Sequence, residues 1–147
     1  MNQPPTPFGA QLIGQTEKTM NAILDRVLAG RVSEPEWVTL VLIAGSGPAG
    51  HEQVTARVAH ALKENRAAAT ARIGRLAAKG LVQTAPEPGS AVLLTETGQQ
   101  LLGSVQQQTA EITQRLWGDL PAADLEVAGR VLRTVLGRAE AEADAGS

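Results

Sequence analysis

The chain has 147 residues with a formal net charge of −2, and 43% of its residues are hydrophobic but only 2% aromatic. This length and apolar content are typical of one folded domain, and so few aromatic residues favour packed helices over a β-sandwich. No cysteine is present, which excludes disulfide scaffolds, thiolate zinc sites and iron–sulfur clusters.

Apolar residues at helical spacing predict four helices in the first half of the chain. Their predicted ranges are 8–29, 34–44, 53–62 and 66–78. Ser33 followed by Glu36 is a capping-box pattern that opens the second helix, and Asn65 is a favourable N-cap for the fourth. The glycine-rich run 45–50 is expected to be a connector.

The second half is predicted to begin with a β-hairpin, because two short β-prone runs, 81–85 and 91–94, flank the Pro- and Gly-rich turn 86–90. Thr95 is placed to cap a fifth helix. Pro121 ends that helix, and a last helix is predicted over 123–142. At the chain ends we expect a disordered segment over 1–7 and a frayed tail over 143–147.

Positive charge is concentrated in one part of the sequence. Residues 51–80 hold six basic and two acidic residues, whereas the remainder holds seven basic and thirteen acidic residues. Local charge, rather than the overall balance, determines where a polyanion can bind. An ordinary solvated helix face produces the same pattern, so the charge alone leaves both interpretations open.

The order of a short helix, a tight turn, a second helix and a hairpin is that of a winged helix-turn-helix. The predicted fold class is therefore mainly α with one β-hairpin. In DNA-binding proteins with this arrangement the second helix enters the major groove and the hairpin contacts neighbouring phosphates. Helix-turn-helix patterns also occur in domains that bind only protein.

Three stretches resemble the MarR (multiple antibiotic resistance regulator) family. The run Ser33-Glu34-Pro35-Glu36-Trp37 resembles the Thr/Ser-x-x-Gln-Trp opening of the family's second helix. Residues 58–66 with 75–82 resemble its helix-turn-helix, and Leu94-Thr95-Glu96-Thr97-Gly98 resembles the Leu-Thr-x-x-Gly that follows its wing. The resemblance extends over about residues 11–142.

This resemblance implies a homodimer that binds double-stranded DNA at a pseudo-palindromic operator. Residues 8–32 and 99–142 would form a helical dimerisation layer with N- and C-terminal helices, and 33–98 would form the DNA-binding lobe. Packing of the terminal helices within one chain is the alternative to dimerisation. Many relatives are repressors released by a small phenolic or lipophilic ligand.

In this family the ligand cavity lies between the dimerisation layer and the DNA-binding lobe. The candidate ligand-binding residues are therefore Met20, Leu24, Trp37 and Leu40. A core position for Trp37 is the simpler interpretation, because a tryptophan on an amphipathic helix is more often buried than used for ligand stacking.

The candidate DNA-binding residues lie in and around the predicted fourth helix. They are Arg57, Lys63, Asn65, Arg66, Ala67, Ala68, Thr70, Ala71, Arg72, Arg75 and Lys79. Helical spacing directs Ala69, Ile73 and Leu76 towards the core, and the opposite face is mostly alanine and glycine. We therefore expect phosphate contacts to outweigh base readout, with Arg72 and Arg75 as the main donors to base edges.

Two departures from the family pattern favour an alternative function, a winged-helix protein-interaction module with weak or no sequence-specific DNA binding. The helix face that should read bases is rich in alanine, and the turn 86–90 contains an acid but no Arg or Lys. No minor-groove arginine can therefore be assigned to the wing.

Enzymatic and membrane functions have little support in the sequence. No Ser/His/Asp arrangement has supporting context, and His60 with Glu64 lacks further metal ligands nearby. We expect no catalytic residue, no metal and no cofactor. The longest apolar run, 38–44, is too short to cross a bilayer, and the amino terminus lacks signal-peptide features, so we expect a cytoplasmic protein.

Overall fold

The computed structural model describes residues 3–84 and 90–146. Its elements are α1 (Ala10–Leu28), α2 (Glu34–Gly45), β1 (Ala49–Gly50), α3 (His51–Leu62), α4 (Arg66–Ala78), β2 (Val82–Gln83), β3 (Ala91–Leu94), α5 (Glu96–Trp117) and α6 (Ala122–Ala145). The chain divides into two compact units, Met1–Thr109 and Ala110–Ser147. The predicted fold class, mainly α with a β-hairpin in a winged helix-turn-helix, is confirmed.

The predicted caps form as the sequence indicates. Ser33 Oγ accepts a hydrogen bond from the Glu36 N–H at 3.2 Å, and the Ser33 N–H donates to Glu36 Oε1 at 2.9 Å. Asn65 Oδ1 accepts from the Ala68 N–H at 2.9 Å. These side chains satisfy backbone donors that a helix start leaves without partners, which is why α2 and α4 begin at their predicted residues.

Both chain ends differ from the predictions in detail. Helix α1 begins at Ala10, two residues after the predicted start. Helix α6 continues through Ala145, so residues 143–145, which we expected to fray, are helical. Alanine has the highest helix propensity, and the alanine-rich end of α6 therefore prolongs the helix.

The small sheet contains a strand that the sequence did not indicate. Its order is β1-β3-β2, with antiparallel pairs that place Ala49 opposite Val92 and Val82 opposite Leu94. The prediction of 45–50 as a connector is corrected at its end, because Ala49–Gly50 forms β1. Two residues are too few to show an alternating pattern. The predicted turn 86–90 lies outside the described residues except for Ser90.

The core of the first unit holds α4 against α2 and α3. Leu40, Val58, Ile73 and Leu76 are at most 1% exposed, and the three helices contact one another directly. Burial of each large aliphatic side chain stabilises the fold by about 1.5–3 kcal/mol. The core therefore fixes the inner face of α4 and leaves its outer face free.

A compact joint links the end of α4 to the start of α5. Thr95 Oγ1 donates to the Gly80 carbonyl at 2.6 Å and accepts from the Gly98 N–H at 3.0 Å. The Thr95 N–H also donates to the Leu81 carbonyl at 3.0 Å. A Cβ at Gly98 would lie 2.2 Å from that same carbonyl oxygen, so the joint requires glycine at this position.

Helix α6, in the second unit, leaves its apolar side chains exposed. None of its described residues is buried, and Leu125, Leu132 and Leu136 are 37%, 47% and 57% exposed. Such a continuous apolar face on a helix is typical of a surface that pairs with another protein surface. Among the described residues, no helix combines the length and hydropathy needed to span a bilayer.

Candidate nucleic-acid interface

The helix-turn-helix is formed by α3, a three-residue turn and α4. The turn consists of Lys63, Glu64 and Asn65, and Lys63 adopts a left-handed conformation with φ 54° and ψ 47°. The Lys63 N–H donates to the His60 carbonyl at 3.3 Å, and the Glu64 N–H donates to the Ala59 carbonyl at 3.0 Å. These bonds close the end of α3 and reverse the chain directly into the Asn65 cap of α4.

The two faces of α4 are those that the helical wheel predicts. Ala69, Ile73 and Leu76 are buried against the core. The opposite face is formed by exposed Ala67, Thr70, Ala71 and Gly74. Because these side chains are short, the outer surface of α4 lies close to its backbone and presents few side-chain hydrogen-bond donors.

Most of the predicted DNA-binding residues are accessible. The exposed ones are Arg57, Lys63, Asn65, Arg66, Ala67, Thr70, Ala71, Arg75 and Lys79, whereas Ala68 is half-buried and Arg72 is buried. The oxygen of the Asn65 side chain is used for the helix cap, so only its amide nitrogen is available to a ligand.

Arg72 is placed differently from our prediction of a donor to base edges. It is only 8% exposed, and its guanidinium forms a bidentate ion pair with Glu64, through Nη2–Oε2 at 2.8 Å and Nη1–Oε1. The hydrogen bonds from Arg72 hold the pKa of the Glu64 carboxyl below its usual value. Arg72 lies nearer the core side of the helix wheel than the outer face, so its long side chain folds back onto the turn.

Lys79, predicted to contact phosphate, also has partners within the protein. Its ammonium donates to Glu36 Oε1 at 3.0 Å and to the Arg31 carbonyl at 3.3 Å. Burial raises the pKa of Glu36, but the Ser33 N–H and Lys79 outweigh that effect and hold it below the usual value. Lys79 therefore links the end of α4 to the start of α2.

Six of the predicted DNA-binding residues are arginine or lysine. Two of these six, Arg72 and Lys79, are paired within the protein, and the other four are available to an external anion. Arg57, Lys63, Arg66 and Arg75 are exposed, and their side chains form no ion pair or hydrogen bond within residues 3–84 and 90–146. Arg57 lies on α3, Lys63 lies in the turn, and Arg66 and Arg75 lie in the first and last turns of α4. This arrangement of cations around an exposed helix is suited to the phosphates on either side of a groove.

The four candidate ligand-binding residues do not line either of two cavities in the first unit. Leu40 is fully buried, Trp37 is 9% exposed and Met20 is 38% exposed. A cavity of about 640 Å³ is lined by Arg31, Lys79, Leu81, Thr97, Gln100, Leu101 and Ser104. A second, of about 420 Å³, is lined by Ile43, Ala44, Gly47, Pro48, Leu93, Leu94, Gln99, Leu102, Gly103 and Gln106.

No family model matches this sequence, and no curated protein is similar to it. Its structure, by contrast, is similar to 192 chains of known structure. Wild-type MarR from E. coli in its apo form has a TM-score of 0.65 and 22% identity, covering 90% of this chain and 99% of that one. A mutant E. coli MarR complexed with operator DNA has a TM-score of 0.70 and 22% identity, covering 86% and 91%. The chain has the MarR fold.

A third solved structure extends this likeness. It is the PcaV transcriptional regulator from Streptomyces coelicolor in complex with its natural ligand, with a TM-score of 0.68 and 18% identity over 95% of this chain and 99% of that one. Identities of 18–22% establish the fold, while residue roles in this chain depend on its own geometry.

Within this MarR fold, sequence reasoning missed two structural residues. Glu64 was considered only as part of the turn after the third helix and, with His60, as an unsupported metal ligand, although it pairs with Arg72 eight positions later. Periodicity could not indicate this pair, because Glu64 lies in the turn and helical spacing relates only residues within one helix. Gly98 was noted only as part of a motif, and the Leu-Thr-x-x-Gly pattern was the available signal for its close packing on Leu81.

Proposed function

We propose that the chain is a MarR-family transcriptional regulator, a cytoplasmic homodimer that binds double-stranded DNA at a pseudo-palindromic operator and acts as a repressor. The observation that carries this proposal is the exposed outer face of α4 together with four exposed cations, on or next to the helix-turn-helix, whose side chains have no partner among the described residues. The likeness to a MarR structure that contains operator DNA supports it. No catalytic role is part of the proposal.

In this proposal α4 enters the major groove and the cations bind phosphates. Arg57, Lys63 and Arg66 are proposed to contact the DNA backbone, whereas Arg75 and Thr70 are exposed polar side chains on or beside the outer face of α4. The alanines of that face can contact thymine methyl groups. If each subunit neutralises about four phosphates, the slope of log K against log salt is roughly −7 for the dimer.

Dimerisation is proposed to use the exposed apolar face of α6. A dimer supplies two α4 helices, and two-fold symmetric proteins bind operators with matching symmetry. The exposed leucines of α6 lose water contact when such a pair forms, which provides the hydrophobic driving force. Residues 8–32 and 99–142 together form the proposed dimerisation layer.

A small phenolic or lipophilic effector is proposed to modulate DNA binding. The PcaV structure contains that protein's natural ligand in the same fold. Met20, Leu24, Trp37 and Leu40 remain the proposed contact residues, and a ligand there would have to displace packed side chains because Leu40 is fully buried. The two cavities of about 640 and 420 Å³ have volumes typical of small-molecule sites and offer alternative positions.

The proposal is tested with an Arg57→Ala/Arg75→Ala double variant. Purified protein is titrated against duplex DNA from upstream of its own gene and against a scrambled duplex, at several salt concentrations. Losing two of four cations per subunit is expected to change the log–log salt slope from roughly −7 to roughly −4. Arg26→Ala/Arg138→Ala is the matched control, because it removes two exposed arginines outside the helix-turn-helix; both lie in the proposed dimerisation layer, so sedimentation velocity is used to verify that this control is still dimeric.

The possible outcomes separate the two functions that the sequence left open. Preferential, salt-weakened binding that only the Arg57/Arg75 variant loses supports the regulator. A folded wild-type dimer that binds no duplex at low salt contradicts it and favours the protein-interaction module, for which the alanine-rich outer face of α4 would be the contact surface.

Lys63→Gly is expected to separate DNA binding from stability. The left-handed backbone at Lys63 is strained for a residue with a Cβ but not for glycine, so the free energy of unfolding should stay equal or rise by about 0.5 kcal/mol. Loss of one cation per subunit should reduce the salt slope by about 2 for the dimer. Denaturant unfolding and salt titration measure the two effects.

The control for this variant is Ala29→Gly. Ala29 also has a left-handed conformation, with φ 53°, but its replacement removes no cation. It should reproduce the stability change and leave the salt slope unaltered. An unchanged slope in Lys63→Gly would remove Lys63 from the proposed phosphate contacts.

A further inference from the structure

We infer that Glu64 and Arg72 are positioning residues for α4: their ion pair sets the orientation of this helix relative to the turn, and Arg72 itself contacts no DNA. The inference rests on the DNA-binding function proposed above. It explains how the protein distinguishes one DNA sequence from another when the outer face of α4 carries almost no polar side chains.

The geometry of the pair fixes an orientation as well as a distance. The two terminal nitrogens of the Arg72 guanidinium each donate to a different oxygen of the Glu64 carboxylate, Nη1 to Oε1 and Nη2 to Oε2. Two parallel hydrogen bonds between planar groups restrict rotation, which a single bond to an ammonium does not. Glu64 precedes α4 and Arg72 lies in its second turn, so the pair connects the turn to the body of the helix.

The burial of the pair makes its two members interdependent. The Arg72 side chain is 10% exposed and that of Glu64 is 18% exposed. Charged groups withdrawn from water need a complete set of partners, and removal of one leaves the other uncompensated. Glu34 and Glu36 at the start of α2 also attract the Arg72 guanidinium, which favours its charged form.

The outer face of α4 explains why orientation matters for discrimination. Ala67, Ala71 and Gly74 have no rotatable polar side chain that could follow a displaced base. Any base contact they make depends on where the helix backbone lies, and errors of about 1 Å are enough to weaken such contacts. A long arginine or lysine can adjust its rotamer, but a methyl group cannot.

The experiment uses a duplex that the wild-type full-length protein selects from a random library. Its affinity is compared with that of a scrambled duplex for wild type, Arg72→Lys, Arg72→Met, Glu64→Gln and the Glu64→Gln/Arg72→Met double variant, over a series of salt concentrations. We expect each single variant to reduce the selected-to-scrambled affinity ratio by about tenfold or more without changing the salt slope. The double variant should be no worse than the singles, because the pair acts as a unit.

Two further variants calibrate the measurement. Arg75→Met should reduce the salt slope by about 2 per dimer, which shows what the loss of a direct phosphate contact looks like. Glu52→Gln removes an exposed acid of α3 and controls for the general effect of a lost negative charge. Arg72→Lys retains the positive charge and most of the aliphatic part of the side chain. It therefore tests the positioning role if Arg72→Met does not fold.

Specific results would overturn the inference. A slope reduced by about 2 in Arg72→Met, with discrimination preserved in Glu64→Gln, would show that Arg72 contacts phosphate directly. Undiminished discrimination in Arg72→Lys and Glu64→Gln would show that the pair has no positioning role, while the proposed function would stand. A wild-type protein that selects no preferred sequence would contradict both.

Discussion

Gly98→Ala is expected to lower the free energy of unfolding by about 3 kcal/mol, because the added methyl group meets backbone that cannot move independently. A Cβ at this position would lie 2.2 Å from the Leu81 carbonyl oxygen and 3.1 Å from its carbon. That carbonyl also accepts a hydrogen bond from the Thr95 N–H, so a displacement of Leu81 disturbs the joint between the end of α4 and the start of α5. Urea unfolding followed by circular dichroism measures the loss.

Gly103→Ala is the matched control on the same helix. Gly103 is exposed, and a Cβ there would have no neighbour within 4 Å. Alanine is favoured over glycine inside a helix by about 1 kcal/mol, so this variant should be slightly more stable than the wild type. Equal midpoints for Gly98→Ala and the wild type would contradict the tight joint.

Leu132→Glu is expected to raise the dissociation constant of the dimer by about 1,000-fold or more. Leu132 is 47% exposed in the single chain, and burying the exposed half of this leucine in each subunit contributes roughly 2 kcal/mol in total. A carboxylate at the same position would also have to lose its water. Sedimentation velocity over a range of protein concentrations measures the change.

Val127→Glu tests whether dimerisation depends on which face of α6 receives the glutamate, or only on the loss of an apolar residue from this helix. Val127 is 46% exposed, close to the value for Leu132, but it lies away from the apolar stripe that contains Leu125, Leu132 and Leu136. This variant should remain dimeric. Dissociation of both variants, or of neither, would show that the apolar stripe is not the dimer interface.

DNA binding should be lost together with the dimer, because one α4 contacts only half of a symmetric operator.

Sequence reasoning predicted the helices most accurately where a local signal marks a boundary. Helix α4 begins and ends at the predicted residues. Asn65 marks its start and Gly80 marks its end, and both signals lie within a few positions of the boundary that they define. The inner face of α4 was predicted equally well, because Ala69, Ile73 and Leu76 follow helical spacing. Strand β1 was missed, as its two residues are defined only by pairing with β3.

The candidate interface was predicted less completely, and the arginines show why. Arg72 and Arg75 are three positions apart on one helix and have the same side chain, so we predicted from the sequence that both donate hydrogen bonds to DNA. In the structure Arg72 is paired with Glu64, and Arg75 is exposed. Which arginine has a partner depends on where the turn places a carboxylate, and this is a contact in three dimensions.

The sequence by itself determined the order of the helices, their caps, the inner face of α4 and the concentration of positive charge over residues 51–80. These properties depend on interactions between residues close together in the chain, such as hydrogen bonds to the first turn of a helix and a spacing of 3.6 residues. Only the tertiary structure decided which cations are available and which glycine is indispensable. Lys79 pairs with Glu36 across 43 positions, and Gly98 packs against Leu81 across 17. Such contacts form when distant segments fold together, and a local motif such as Leu-Thr-x-x-Gly can mark the glycine but not the residue against which it packs.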